Sequence, residues 1–197
     1  AIVFIAQLFS TTGFSIIFPF LPLYVEDLGS TTGLSTELLA GLVFSSQAIT
    51  MMIAGPIWGT LADRYGRKLM VQRATFGGAV LLLLMAFARS AEDLIVLRAI
   101  QGLITGTVPA ANALVAAEAP RERTGFAMGV IQVGLWSGVS VGPLIGGALA
   151  DAFGFRTPFI VTAALLFCAG VLVWRGVREQ FQPSVRIIDQ HISFFGE

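Results

Sequence analysis

The stretch GTLADRYGRK, residues 59–68, places Asp63, Arg64, Arg67 and Lys68 within one short turn of a chain that is 12% charged and 55% hydrophobic. Mean hydropathy is +0.82. A chain of 197 residues encloses too little interior to hide so much apolar surface from water. Lipid is the solvent this composition fits. A dense charged turn then marks a place where the chain leaves the bilayer.

Apolar runs extend on both sides of that turn, and a helix of about 20 residues crosses the ~30 Å of hydrocarbon. Six spans are predicted, at about 2–25, 36–61, 69–88, 93–117, 124–149 and 157–174. Their short connections make consecutive helices antiparallel. The expected fold class is an all-α membrane protein with six transmembrane helices. Residues 1–178 form the bundle, and 179–197 form a cytoplasmic connector with a short amphipathic helix around VRIIDQHISFF (185–195).

Basic residues set the direction. The turns after spans two and four and the segment after span six hold Arg64, Arg67, Lys68, Arg73, Arg121, Arg123, Arg175, Arg178 and Arg186, against Arg89 and Arg156 on the other side. The basic side is cytoplasmic, so both termini are expected inside.

Composition also excludes classes. Net charge is zero with no long basic block, which leaves nucleic-acid binding without support. One cysteine, Cys168, rules out an internal disulfide and a cysteine-based metal site; within an apolar run it reads as a buried packing residue. The single histidine, His191, lies in the tail without neighbouring ligands, so no metal is expected. No Ser/His/Asp set or phosphate loop argues for an enzyme. The chain opens at Ala1 inside a hydrophobic run without a basic leader, which reads as a trimmed segment and not a signal peptide.

The glycines suggest a repeat. GPIWG (55–59) lies near the cytoplasmic end of span two and GPLIG (142–146) near the external end of span five. Each span is the middle of a group of three. Two three-helix units related by an inverted pseudo-twofold produce that placement, a transporter signature.

Three stretches together resemble the major facilitator superfamily. GTLADRYGRK matches its signature between helices two and three through Gly59, Leu61, Ala62, Asp63, Arg64, Gly66, Arg67 and Lys68; RAIQG with Gly106 resembles the fourth-helix motif through Arg98, Gln101 and Gly102. GVSVGPLIGG resembles the fifth-helix motif of proton-coupled antiporters through Gly138, Gly142, Pro143, Gly146 and Gly147. With GFSIIFPFLPLYV in helix one, the combination looks most like bacterial twelve-helix drug:proton antiporters of the inner membrane. The resemblance implies that these six helices are the amino-terminal half, to be completed by a missing carboxyl-terminal half or a second copy.

Residue expectations follow. Gly59 and Gly66 permit tight backbone geometry at the turn. The resemblance implies a charge cluster here, with Asp63 also facing a helix amino terminus in the other half, where the helix dipole favours an acid. Asp63, Arg67 and Glu118 are expected to form a latch that stabilises one conformation, and mere enforcement of topology is the alternative. In span four, Arg98, Gln101, Thr105, Pro109 and Asn112 fall on one helical face, a polar stripe that must meet a cavity or another helix. For Arg98 the alternative is snorkelling to the surface. The resemblance makes Arg98 part of proton coupling, although no Asp or Glu occupies the middle of any span.

Gln7, Thr11, Phe14 and Phe18 share a face of helix one, and Gln132 lies four residues before Trp136 in helix five. Aromatics beside sparse polar groups suit bulky hydrophobic or cationic substrates, with packing against lipid or neighbouring helices as the alternative. Gly134, Gly138, Gly142 and Gly146 form a small-residue ridge, and Pro143 is expected to bend its helix. The resemblance implies that this ridge meets the opposite half. The expected function is alternating-access transport, drug efflux driven by the proton gradient without a bound cofactor. A sugar or metabolite transporter, and a non-transporting scaffold or sensor, are the alternatives.

Overall fold

A computed structural model describes residues 2–105, 112–116 and 121–177, and every described element is helical. The helices are α1 (Ile2–Ile17), α2 (Leu21–Leu28), α3 (Thr36–Tyr65), α4 (Arg67–Met85), α5 (Ala91–Ile104), α6 (112–116), α7 (Thr124–Phe153) and α8 (Arg156–Gly176). A 3₁₀ turn, Arg121–Arg123, leads into α7. The connector expected at 179–197, His191 and the helix around 185–195 lie outside the described residues.

α3, α4, α7 and α8 are each long and apolar enough to cross a membrane, and α1 with α2, bent by 48° at the break between them, makes a fifth when the pair is taken as one span. That bend corrects the straight first span read from the sequence. Pro19 falls in the break and Pro22 in the first turn of α2. A proline inside a helix lacks the amide donor and clashes with the preceding turn, whereas at a helix start its missing donor costs nothing. The fourth expected span is represented by α5 and α6, with 106–111 between them outside the described residues. α5 ends at Thr105, whose backbone is extended and whose Oγ1 donates to the Gln101 carbonyl 2.7 Å away.

Packing supports the repeat. α1 runs along α7 as α5 runs along α3, while α4 packs against α8. Exchanging the first three spans for the last three maps each of these pairs onto another or onto itself, as an internal pseudo-twofold requires. Pro56 and Pro143 sit at similar depths inside α3 and α7, two helices of 30 residues each.

The main core gathers Ile16, Ile17, Tyr24, Leu82, Leu94, Phe159 and Leu166 from both triplets. Tyr24 donates its hydroxyl to the Met85 carbonyl at 3.1 Å, so the buried phenol is paired. Large apolar side chains such as Leu84, Phe87, Phe126, Leu144 and Phe153 remain on the outside, as lipid requires. Cys168 is exposed, which corrects the expectation of a buried packing role; it lies on the outer surface of α8 beside Phe167.

The loop before α3 is fastened by Glu92. Its Oε1 accepts from the Ser30 and Thr32 hydroxyls and the Thr31 and Thr32 amides at 2.9–3.1 Å. Its own backbone amide foremost, then these donors, hold the carboxyl down from 4.5 to about 2. Because the folded value is depressed, the stabilisation is present above 4.5 and is lost as pH falls through about 2. Hydrogen exchange of 29–35, divided by the base-catalysed rate of a free peptide at each pH, should therefore be slowed by the same factor at about pH 5 and pH 7. Glu92→Gln should speed it at both, and equal protection in the variant would contradict this role.

Candidate functional site

α3 extends one turn further than the sequence suggests, so the charged turn contains a single non-helical residue. Asp63 and Arg64 finish α3, Gly66 takes φ 98°, and Arg67 and Lys68 begin α4. The positive φ makes Gly66 the residue that needs to be glycine. Gly59 lies inside α3 with open space around its Cα, which corrects the expectation that it shapes the turn.

Cations at a helix amino terminus oppose the helix dipole. Here they reach away from it. Arg67 Nη2 pairs with Asp63 Oδ1 at 3.6 Å across Gly66, and its Nη1 donates to the Ala113 carbonyl of α6 at 3.3 Å. Lys68 Nζ donates to the Trp174 carbonyl at 2.9 Å, in the last turn of α8. The turn thus ties the ends of α3, α4, α6 and α8. An exposed ion pair adds little stability; its weight is geometric. Glu118, the third member of the expected latch, lies outside the described residues.

A second polar cluster is buried between α3 and α5. Arg98 Nη1 donates to Gln47 Oε1 at 2.8 Å and to Gln101 Oε1 at 3.1 Å. Arg98 and Gln101 are 4% and 0% exposed, which excludes snorkelling. α3 and α5 approach closely because Gly102 has no side chain: a Cβ there would run into Thr50 Oγ1 and the Gln47 carbonyl. Ser46 Oγ reaches the Ile95 carbonyl in the same seam. Thr105 is buried at the end of this face, and Asn112 is half-buried on α6 with Oδ1 unpartnered among the described residues. Pro109 lies outside the described residues, so the continuous stripe is described only at its ends.

Gln47 was absent from the sequence reading. The signal was present: Ser46, Gln47 and Thr50 are polar positions within an apolar span, and a polar group facing lipid is costly.

The expected substrate face of α1 divides among neighbours. Thr11 lies against Gly138 of α7, Phe14 packs on the main core, and Phe18 is exposed and stacks on Phe44 of α3 at 5.5 Å. Gln7 is buried, with neither amide atom partnered among the described residues. Helical periodicity put the four on one side, but the bend after Ile17 and the different partners separate them. On α7, Gln132 is half-buried and Trp136 is exposed.

The glycine ridge faces inward. A Cβ on Gly138, Gly142 or Gly146 would strike Thr11, Ser15 or the Ile16 carbonyl respectively, all on α1. This corrects the expectation that the ridge meets an opposite half; it is consumed within this bundle. Gly147, one residue on, faces open space. Pro143 leaves the Val139 carbonyl, four residues earlier, without its helical donor. Ser15 Oγ supplies the replacement at 2.9 Å, and α7 continues unbroken to Phe153.

The family model described as Major Facilitator Superfamily matches residues 3–191. The chain belongs to the major facilitator superfamily. Among curated relatives, "Multidrug resistance protein MdtG" of Yersinia enterocolitica is 47% identical over 88% of this chain and 42% of its own length. The MdtG of Serratia proteamaculans is 48% identical over 86% and 41%. The chain therefore spans about two-fifths of the curated relatives it matches. Among solved structures, the human organic anion transporter MFSD10 superposes with TM-score 0.71 at 20% identity, covering 87% of this chain and 46% of that one. A peptide transporter, POT, crystallised with alafosfalin, gives 0.73 at 22% identity, covering 88% and 37%. Those two likenesses concern the superfamily fold alone.

Proposed function

We propose that the chain forms the amino-terminal half of a superfamily transporter that exports hydrophobic or cationic drugs across a bacterial inner membrane by alternating access, in exchange for protons. The observation that carries this reading is identity near one half, over most of the chain, to proteins named for multidrug resistance. The buried Arg98–Gln47–Gln101 cluster supports it, because a guanidinium held inside the bundle is poised to respond to a change of charge nearby. The proton-carrying acid belongs to the other half. Asp63 and Arg67 act at the junction of α3 and α4, where a shift of either helix must pass through Gly66.

Ethidium efflux from cells producing the protein tests this. Export should be abolished by an uncoupler, and Asp63→Asn should lower it about tenfold while leaving the amount inserted in the membrane unchanged. Sugar uptake without drug export, or export that ignores the uncoupler, would overturn the reading.

A further inference from the structure

Beside α4 lies an open groove of about 630 Å³ lined by Leu69, Gln72, Arg73, Phe76, Gly77, Ile104 and Trp174. Its wall is apolar except for Gln72 and Arg73. The guanidinium carbon of Arg73 sits over the indole of Trp58, 3.3 Å from the ring centre. Trp58 is itself fixed by a hydrogen bond from Nε1 to the Leu103 carbonyl. Stacking satisfies the face of a guanidinium and leaves its edge, where the donors are. Nε and Nη1 of Arg73 and Nε2 of Gln72 have no partner among the described residues and are shut from solvent. Leaving charged donors unpaired in this setting is expensive. An acceptor that comes in through the groove would relieve it after a small rotation of the guanidinium.

We propose that this groove holds an anionic phospholipid, its phosphate on the edge of Arg73 with Gln72 as a second donor, and an acyl chain along Leu69, Phe76 and Ile104. Two observations favour a lipid over a soluble anion, and a third favours an anion of either kind. The wall is nearly all apolar, which a free phosphate would not use. Arg73 lies six residues into α4 from Arg67, roughly 9 Å along the axis, a depth matching the boundary between headgroups and acyl chains. Lys68 and Arg175 adjoin the lining residues Leu69 and Trp174 in sequence and add positive charge around the groove. This inference rests on the membrane placement of α4 and is independent of what the protein transports.

Native mass spectrometry of the purified protein, with phosphatidylglycerol or phosphatidylcholine added to the micelles, is the test. The protein should retain phosphatidylglycerol about tenfold more strongly than phosphatidylcholine: both carry a phosphate for Arg73, but the choline ammonium sets a further cation beside Arg73, Lys68 and Arg175, and glycerol does not. Arg73→Gln should remove that preference, and Arg73→Lys should keep part of it. Leu69→Trp, at an exposed position, narrows the groove without touching the core, so it reads the site even if Arg73→Gln folds poorly. It should also lose the lipid. Equal retention of both lipids, an unchanged preference in Arg73→Gln or Leu69→Trp, or displacement of the lipid by inorganic phosphate alone would overturn the proposal.

Discussion

Gly146→Ala should cost the protein much of its thermal stability, while Gly147→Ala, one residue further along the same helix, should leave it nearly unchanged. The difference is geometric. A methyl group at Gly146 would enter the space of the Ile16 carbonyl, and a backbone oxygen cannot rotate aside as a side chain does. α1 and α7 would have to separate along their whole seam, disturbing Thr11 against Gly138 and Ser15 against Gly142. Overpacking of this kind costs about 1–3 kcal/mol, and a contact with backbone belongs at the upper end. Separation would also withdraw Ser15 from the Val139 carbonyl that Pro143 leaves free. At Gly147 nothing lies within 4 Å of the added carbon, so the change should stay within about 0.5 kcal/mol. Thermal unfolding in detergent, followed by size-exclusion recovery, compares the two directly. Equal midpoints would mean that the ridge is not the seam holding α1 to α7.

The largest functional loss is expected at the Arg98 cluster. Arg98→Met removes a buried charge and strands the amide oxygens of Gln47 and Gln101; drug export should disappear. Gln47→Leu is the sharper experiment, because it keeps the arginine and deletes one of its two acceptors. An acceptor removed from a buried donor costs about 1–3 kcal/mol, and export should fall about tenfold, equivalent to ~1.4 kcal/mol. Gln47→Glu should instead hold the guanidinium more tightly and shift the pH at which export is half-maximal. A Gln47→Leu variant with full export and an unshifted pH profile would reduce the cluster to packing between α3 and α5.

Much of the architecture was legible in the residues. Apolar runs gave the helical membrane class, basic residues gave an expected direction, and GPIWG and GPLIG pointed to the repeat that the exchange of helix pairs supports. The charged turn was located as well. Hydropathy could not show that Gly66 is its only non-helical residue, because helix ends depend on caps and φ angles that a hydropathy window averages away. It could not divide Gly59 from Gly66 either, since a glycine has the same letter wherever its φ lies.

The polar positions separate along the same line. Arg98 and Gln101 were readable because three residues of spacing places them on one helical face. Gln47 was not linked to them, because it lies on another helix and only the packing of α3 on α5 brings the three together. Likewise, Gln7, Thr11, Phe14 and Phe18 share a face by periodicity, yet the bend at Pro19 and the separate neighbours of α1 send them to different surroundings. The sequence by itself determined that this chain is a bundle of lipid-embedded helices with charged ends, because transfer of apolar surface into hydrocarbon depends on composition and period alone. Which partner each small or polar residue meets was decided only by the tertiary structure. Steric fit and hydrogen bonding act over a few ångströms between helices that are distant in the chain.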